Sequence, residues 1–324
     1  MANEIMDNQL KLVLGTMNFG PQVDLQAARM MIDSCVSRGF NELDAAYVYN
    51  EGLTETMIGQ LLPEFSDQKI SIATKANPRI SGKLDKRAVV DQCQESLNRM
   101  QLTKVDLLYL HMPDGNTPVQ SALEGYAELF NKGMVGGFGL SNFPAWMVAD
   151  IYHLCTKLSV PPPIVYQGLY NGVSRNVEQE LFDCLRSFKM SFYAFNPLAG
   201  GLLSGKQLNF DAEPESGRFQ RLASYRQRYW KRDFFEAIQM LVSVAKEHEI
   251  LPAEAAYRWL VHHSFLKKDH GDAIILGASS INQLLSNLKA ADAVALPEDL
   301  VEAFQMAWQI TKSDSPPYFS FFKR

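Results

Sequence analysis

The chain has 324 residues, 47% of them hydrophobic, and a formal net charge of −5. That length allows a large buried core, and the acidic balance argues against a nucleic-acid partner, which calls for a basic face. The four cysteines, Cys35, Cys93, Cys155 and Cys184, are widely spaced with no Cys-x-x-Cys pair. They fit a reducing compartment and offer neither a disulfide framework nor a zinc site.

The polar stretch 1–9 lacks a basic region followed by an apolar run, so no signal peptide is read there, and no window reaches the length of a membrane span. A cytoplasmic enzyme is the expectation. From there on, short β-type runs alternate with helical patterns, the layout of repeated β/α units around a parallel sheet. The first strand is expected over 11–17. A helix over 25–38 follows, with Ala28, Met31, Ile32 and Cys35 at helical spacing. Strands over 42–46 and 70–74 come next, then a helix over 85–100 that opens on the N-cap candidate Asp85. A strand over 105–110 precedes a helix over 120–131, and a strand over 136–140 precedes one over 145–158. Strands over 164–168 and 191–195 lead into a stretch over 206–232, rich in Arg, Gln, Tyr and Glu, that has no clean period and reads as a loop over a rim. Helices over 233–248 and 253–261, an eighth strand over 273–276 and a helix starting near Ile281 follow. Eight strands in this order suit one α/β unit over 1–324, a single (β/α)8 TIM barrel. A tail over 309–324, with Pro316, Pro317, Tyr318, Phe319, Phe321 and Phe322, is expected to dock on it.

Asp44, Tyr49, Lys75 and His111 stand at or just past the ends of the second, third and fourth strands. In a parallel barrel all four meet at one rim, the face where barrel enzymes keep their chemistry. A lysine after a run of small and β-branched residues needs a carboxylate if it is buried, and Asp44 suits that role. A phenol titrates near ~10 in isolation, and a neighbouring ammonium is expected to bring that value down. A phenol, an ammonium, a carboxylate and an imidazole form a set suited to carbonyl reduction. No nucleophile or metal ligand accompanies them, so a cofactor must supply the electrons. His262, His263 and His270 are too irregularly set for a metal site.

The stretch Asp44-Ala45-Ala46-Tyr47-Val48-Tyr49-Asn50-Glu51-Gly52, with Val165-Tyr166-Gln167-Gly168-Leu169-Tyr170-Asn171 and the run from Phe192 to Gly205, resembles the aldo-keto reductases. The likeness covers nearly the whole chain and is nearest the aflatoxin-aldehyde reductase branch. It implies a (β/α)8 barrel that reduces aldehydes or ketones with NADPH. In it Tyr49 is the proton donor, Asp44 and Lys75 tune that residue, and His111 orients the substrate. Ala45 stands where the family usually has threonine.

No Gly-x-Gly-x-x-Gly follows a strand, so a Rossmann unit is not indicated. By resemblance, Ser141, Asn142 and Gln167 hold the nicotinamide carboxamide and Phe195 stacks on its ring, with Gly15, Thr16, Met17 and Asp44 close by. The run Asn196, Pro197, Leu198, Gly200, Gly201, Leu202, Ser204 supplies small residues and N–H groups suited to a pyrophosphate. Gly277 and Ser279 lead into a helix carrying Gln283 and Asn287, whose N-terminus is an anion site. Family resemblance places the adenosine 2′-phosphate there, with Lys206 and Arg218 as its cations. Tyr225 and Arg228 match positions at the substrate entrance of that branch, and Met17, Tyr47 and Trp230 are candidates for the pocket wall. Relatives in mind end on an arginine that reaches the substrate. The tail here is longer and more aromatic: either Arg324 replaces that arginine or the aromatics reshape the pocket for a bulkier, flatter substrate, and the expected substrate differs from a simple succinate-type semialdehyde. A small-molecule carbonyl substrate and a homodimer are the expected partners. Two other roles stay open at this stage: a cofactor-sensing subunit similar to potassium-channel beta subunits, and a dehydratase or isomerase working without net redox.

Overall fold

The computed structural model describes residues 10–214 and 217–322. Its strands are β1 (Lys11–Gly15), β2 (Glu42–Asp44), β3 (Ser71–Ala76), β4 (Val105–Leu110), β5 (Val135–Ser141), β6 (Val165–Leu169), β7 (Ser191–Phe195) and β8 (Ala273–Gly277). Each pairs in parallel with the next, and β8 returns to β1 from Lys11↔Ala273 to Gly15↔Gly277, which closes an eight-stranded barrel. Side chains alternate across a strand, so one set fills the barrel and the other meets the helices. Val13, Ala73, Leu107, Tyr109, Val165, Tyr193, Ala273 and Ile275 make the inner cluster.

The helices are α1 (Leu25–Val36), α2 (Leu53–Leu61), α3 (Lys86–Met100), α4 (Val119–Asn131), α5 (Ala145–Lys157), α6 (Leu181–Ser187), α7 (Ala223–Tyr229), α8 (Arg232–Glu247), α9 (Pro252–His262), α10 (Ile281–Ala291) and α11 (Glu298–Thr311). Helix α1 starts where Asp24 accepts the Ala27 N–H, and buries Ala28, Met31, Ile32 and Cys35, the stripe its spacing predicts. Asp85 caps α3 in the same way through Ala88.

Three differences from the sequence reading matter for the site. Strand β1 stops at Gly15 rather than at residue 17, because Thr16 turns to give both its N–H and its hydroxyl to the Asp44 carbonyl. The 206–232 stretch is not all loop: it holds a turn at Arg218–Arg221 and α7, which bury Phe219, Tyr225 and Tyr229. Two helical turns are too short to show a period. The tail begins only after α11, and its backbone then runs along the loops that follow β4 and β5. Ser320 N–H reaches the Asn142 carbonyl at 3.2 Å, Phe322 N–H the Pro113 carbonyl at 2.9 Å, and Gly115 N–H the Phe322 carbonyl at 3.3 Å. No helix among the described residues is long and apolar enough to cross a membrane.

Candidate active site

Register brings the four residues together. Asp44 ends β2 opposite Ala73, Lys75 lies on β3 opposite Tyr109 of β4, and His111 follows β4 with its N–H on the Ala76 carbonyl at 2.9 Å. The Lys75 side chain is wholly buried. Its Nζ lies 2.7 Å from both Asp44 carboxylate oxygens, 2.6 Å from the Ala45 carbonyl and 3.4 Å from the Tyr49 hydroxyl. Asp44 is held in turn by Gln167, whose Nε2 donates to Oδ1 at 2.7 Å.

Tyr49 opens a tight segment. Asn50 (φ 48), Glu51 (φ 55) and Gly52 (φ 91) are all left-handed, a costly run for two non-glycine residues. Two sets of contacts hold it. The Asn50 amide nitrogen donates to the carbonyls of Met17 at 2.8 Å and Phe19 at 2.9 Å. From behind, Arg99 of α3 donates to the Tyr47 carbonyl and to Glu55, each at 3.1 Å, and lays its guanidinium 4.2 Å over the Tyr47 ring. Glu55 is fully buried and accepts the Thr74 hydroxyl at 2.6 Å, one residue before Lys75. A second ion pair therefore braces the loop that carries Tyr49.

The His111 ring meets Tyr49 edge-on, with centroids 6.2 Å apart, and its Nδ1 lies 3.0 Å from the Asn77 amide nitrogen. Burial, then the Lys75 and Arg79 cations, push its pKa down to about 3, so the ring is neutral near pH 7. Burial drags the Lys75 ammonium below the usual lysine value, while Asp44 pulls it back up. Tyr49 goes opposite to the expected direction. Burial first, then Asp44 and Tyr225, raise the phenol well above its ordinary value, with Arg218 pulling the other way. The reason is first burial, which disfavours a phenolate, and second the Asp44 carboxylate close by. Tyr49 is held as a neutral acid.

The sequence pattern of the Aldo/keto reductase family matches residues 11–309. "Aflatoxin B1 aldehyde reductase member 2" of Rattus norvegicus is 42% identical over 318 residues, 95% of this chain and 87% of the relative. "Aldo-keto reductase family 7 member A3" of Homo sapiens is 41% identical over 330 residues, 98% of this chain and 100% of the relative. The chain belongs to the aldo/keto reductase family. These are oxidoreductases of small carbonyl compounds that generally use a nicotinamide cofactor.

The rest of the rim fits such a cofactor in this aldo/keto reductase. After β7, Asn196 (φ 56), Ala199 (φ 48), Gly200 (φ 73) and Gly201 (φ 109) coil into a short turn. A Cβ on Gly201 would meet nothing within 4 Å, so that backbone faces open space. The buried Tyr257 hydroxyl has no hydrogen-bond partner, although buried polar groups normally do. Arg218 comes down onto β8: its Nη2 is 3.2 Å from where a Gly277 Cβ would stand. An open left-handed turn and a guanidinium over a glycine are groups that could hold phosphate oxygens.

The other expected residues fall into place unevenly. Gly15 lies between Asp44 and Gly277 in register, and Thr16 is buried on Asp44. Ser141 ends β5 and accepts from the Asn142 amide, which also donates to the His111 carbonyl at 2.9 Å. Phe195 packs at the end of the inner cluster. The Leu198 carbonyl accepts the Gly201 N–H, Leu202 is buried, and the Ser204 hydroxyl bonds the Gly201 carbonyl. Pro197 lies within this turn, and Lys206 is exposed just beyond it. The Gln283 side chain accepts from both the Ser279 N–H and hydroxyl at 2.9 Å, and Asn287 donates to the Gly277 carbonyl at 3.4 Å. Tyr225 covers Gly200 and donates to the Asn196 Oδ1 at 3.0 Å, and Arg228 lies 5.5 Å over the Tyr225 ring. Trp230 sits within an aromatic cluster with Phe219 and Phe235, and its indole N–H is on the Phe210 carbonyl. Arg324 lies outside the described residues.

Asn77, Gln92, Glu55 and Arg99 escaped the sequence reading. Only Asn77 carried a local signal, an Asn-Pro pair that opens a short helical turn. The other three act across gaps between elements, which no periodicity marks.

Proposed function

We propose that this chain reduces an aldehyde or ketone to the alcohol with NADPH, Tyr49 giving the proton to the carbonyl oxygen. One observation carries the reading: a neutral phenol 3.4 Å from a buried ammonium that Asp44 and Ala45 already hold, with the neutral His111 ring beside it. NADPH supplies the hydride when bound. The protein's part is to place the carbonyl oxygen between two donors, Tyr49 and His111, and to keep Tyr49 protonated until charge develops on that oxygen. As the proton leaves, Lys75 is the nearest cation to the phenolate. Arg218 and Lys206 favour a cofactor with a 2′-phosphate, hence NADPH over NADH.

The test follows NADPH absorbance with a panel of carbonyls: a dialdehyde, a flat aromatic aldehyde and a short acid semialdehyde, beside Tyr49→Phe. Turnover should fall by about 100- to 10,000-fold in that variant while NADPH binding persists. The aromatic tail bonded to the rim loops after β4 and β5 favours the flat aldehyde above the short acid. NADPH binding with no turnover on any carbonyl, or substrate conversion with no NADPH loss, would replace this reading with the sensing or non-redox role.

A further inference from the structure

We propose that Asn77 is a positioning residue that locks His111 in the Nε2–H tautomer, so that the ring offers an N–H donor to the carbonyl oxygen. Its catalytic meaning rests on the reductase reading above; the tautomer itself does not. The Asn77 side chain can be oriented from its hydrogen bonds. It sits at the N-cap of the Pro78–Ser81 turn, where its Oδ1 accepts the Arg79 N–H at 2.9 Å. With the oxygen committed there, the atom facing His111 Nδ1 at 3.0 Å is the NH2 group, which only donates. Nδ1 must therefore accept, and the ring proton belongs on Nε2. Flipping the amide would set its NH2 against the Arg79 N–H and lose that bond, so the cap on Arg79 decides which amide atom faces Nδ1.

The lock is itself held. Gln92 of α3 brackets the Asn77 backbone from both sides, its Oε1 taking the Asn77 N–H at 2.8 Å and its Nε2 reaching the Asn77 carbonyl at 3.0 Å. Both residues are almost wholly buried. The His111 backbone is fixed independently by the Ala76 carbonyl and the Asn142 amide. The charged and titratable groups around the ring are Lys75 of β3 with Asp44 behind it, Arg79 of the turn and Tyr49 of the 49–52 segment. The two cations disfavour an imidazolium, which would otherwise supply an Nε2–H without any tautomer control. Asn77 provides the donor without the charge.

The experiment is 15N NMR of histidine-labelled protein, His111 being assigned by its loss in His111→Gln. Wild type should show a neutral ring with the proton on Nε2. Asn77→Asp keeps an acceptor for the Arg79 N–H but turns an acceptor toward Nδ1. The Nδ1 proton signature should then appear, as the other tautomer or as an imidazolium. Carbonyl reduction by this variant should become pH-dependent. It is retained while the ring is cationic and falls on the order of 100-fold as pH rises and Nε2 loses its proton, the cost of removing one oxyanion donor. A wild-type ring protonated on Nδ1, or an unchanged Nε2–H tautomer and flat profile in Asn77→Asp, overturns the proposal. The wild-type spectrum does not depend on Asn77→Asp folding. If no carbonyl is reduced at all, the reductase reading fails while the tautomer result still stands or falls by itself.

Discussion

The Lys75 side chain is wholly buried in the barrel, so neighbouring groups must answer its three N–H groups. Asp44 and the Ala45 carbonyl do so at 2.6–2.7 Å, which leaves the Tyr49 hydroxyl the loosest contact at 3.4 Å. The pair therefore owes its fixed geometry to Asp44, and Tyr49 takes the position left over. Removing one member of such a pair strands the other in a dry interior. Lys75→Met should lower unfolding stability by about 3–5 kcal/mol, because Asp44 keeps only the Gln167 amide on its carboxylate. Adding Asp44→Leu should restore most of that loss without restoring reduction. Urea unfolding of the two variants reads the first effect and NADPH turnover the second. A double variant no more stable than Lys75→Met alone would show that packing, rather than the stranded charge, sets the cost.

Between strand and helix, the segment that carries Tyr49 depends on Gly52. At φ 91 any side chain is strained there, and a Cβ would lie 2.5 Å from the Arg99 guanidinium carbon. Gly52→Ala should push Arg99 off the Tyr47 carbonyl and shift the segment. A displacement near ~1 Å costs kcat on the order of 100-fold, with NADPH affinity nearly unchanged. Equal kcat in the variant would mean that Asn50 alone sets the segment. The same elements explain what the sequence makes legible. The strands are short apolar runs whose ends carry Asp44, Lys75 and His111, so the barrel and the four rim residues can be read directly. The sequence sets no bounds for helices α2, α6 and α11, although a helix is expected between the strands that flank α2. The first turn of α2 carries Thr54 and Glu55, buried polar residues that serve the site and blur an apolar stripe, and α6 has only seven residues. The Tyr49 phenol shifts upward against expectation because burial outweighs the rest, with Asp44 adding to it, and the depth of burial of one phenol does not follow from sequence pattern.

Over the whole molecule, burial of groups that are neutral near pH 7 decides how stability follows pH. Tyr49, Tyr109, Tyr166 and Tyr170 are all raised well above 10.0 by burial, and the thiols of Cys35, Cys93 and Cys155 rise from 9.0 to about 12. In the unfolded chain these groups lose their protons near their ordinary values, while the fold keeps them bound. Above pH 9, then, the folded state binds more protons than the unfolded one, and stability falls as pH rises. On the acid side, His111 takes a proton near 6.5 when unfolded and only near 3 when folded. Its contribution is complete above pH 6.5 and is lost as pH drops toward 3. The two limbs differ in weight, since many buried phenols and thiols act together at high pH, while below 6.5 the buried His111 is joined by the less buried His263, which burial also lowers. Thermal midpoints measured from pH 5 to 11 should hold a plateau between about 6.5 and 9, sag gently below it and drop steeply above it. Replacing His111 with Gln removes the ring's share of the acid limb and leaves the alkaline limb untouched. A midpoint that stays level from pH 9 to 11 would mean that these phenols and thiols reach water in the folded protein.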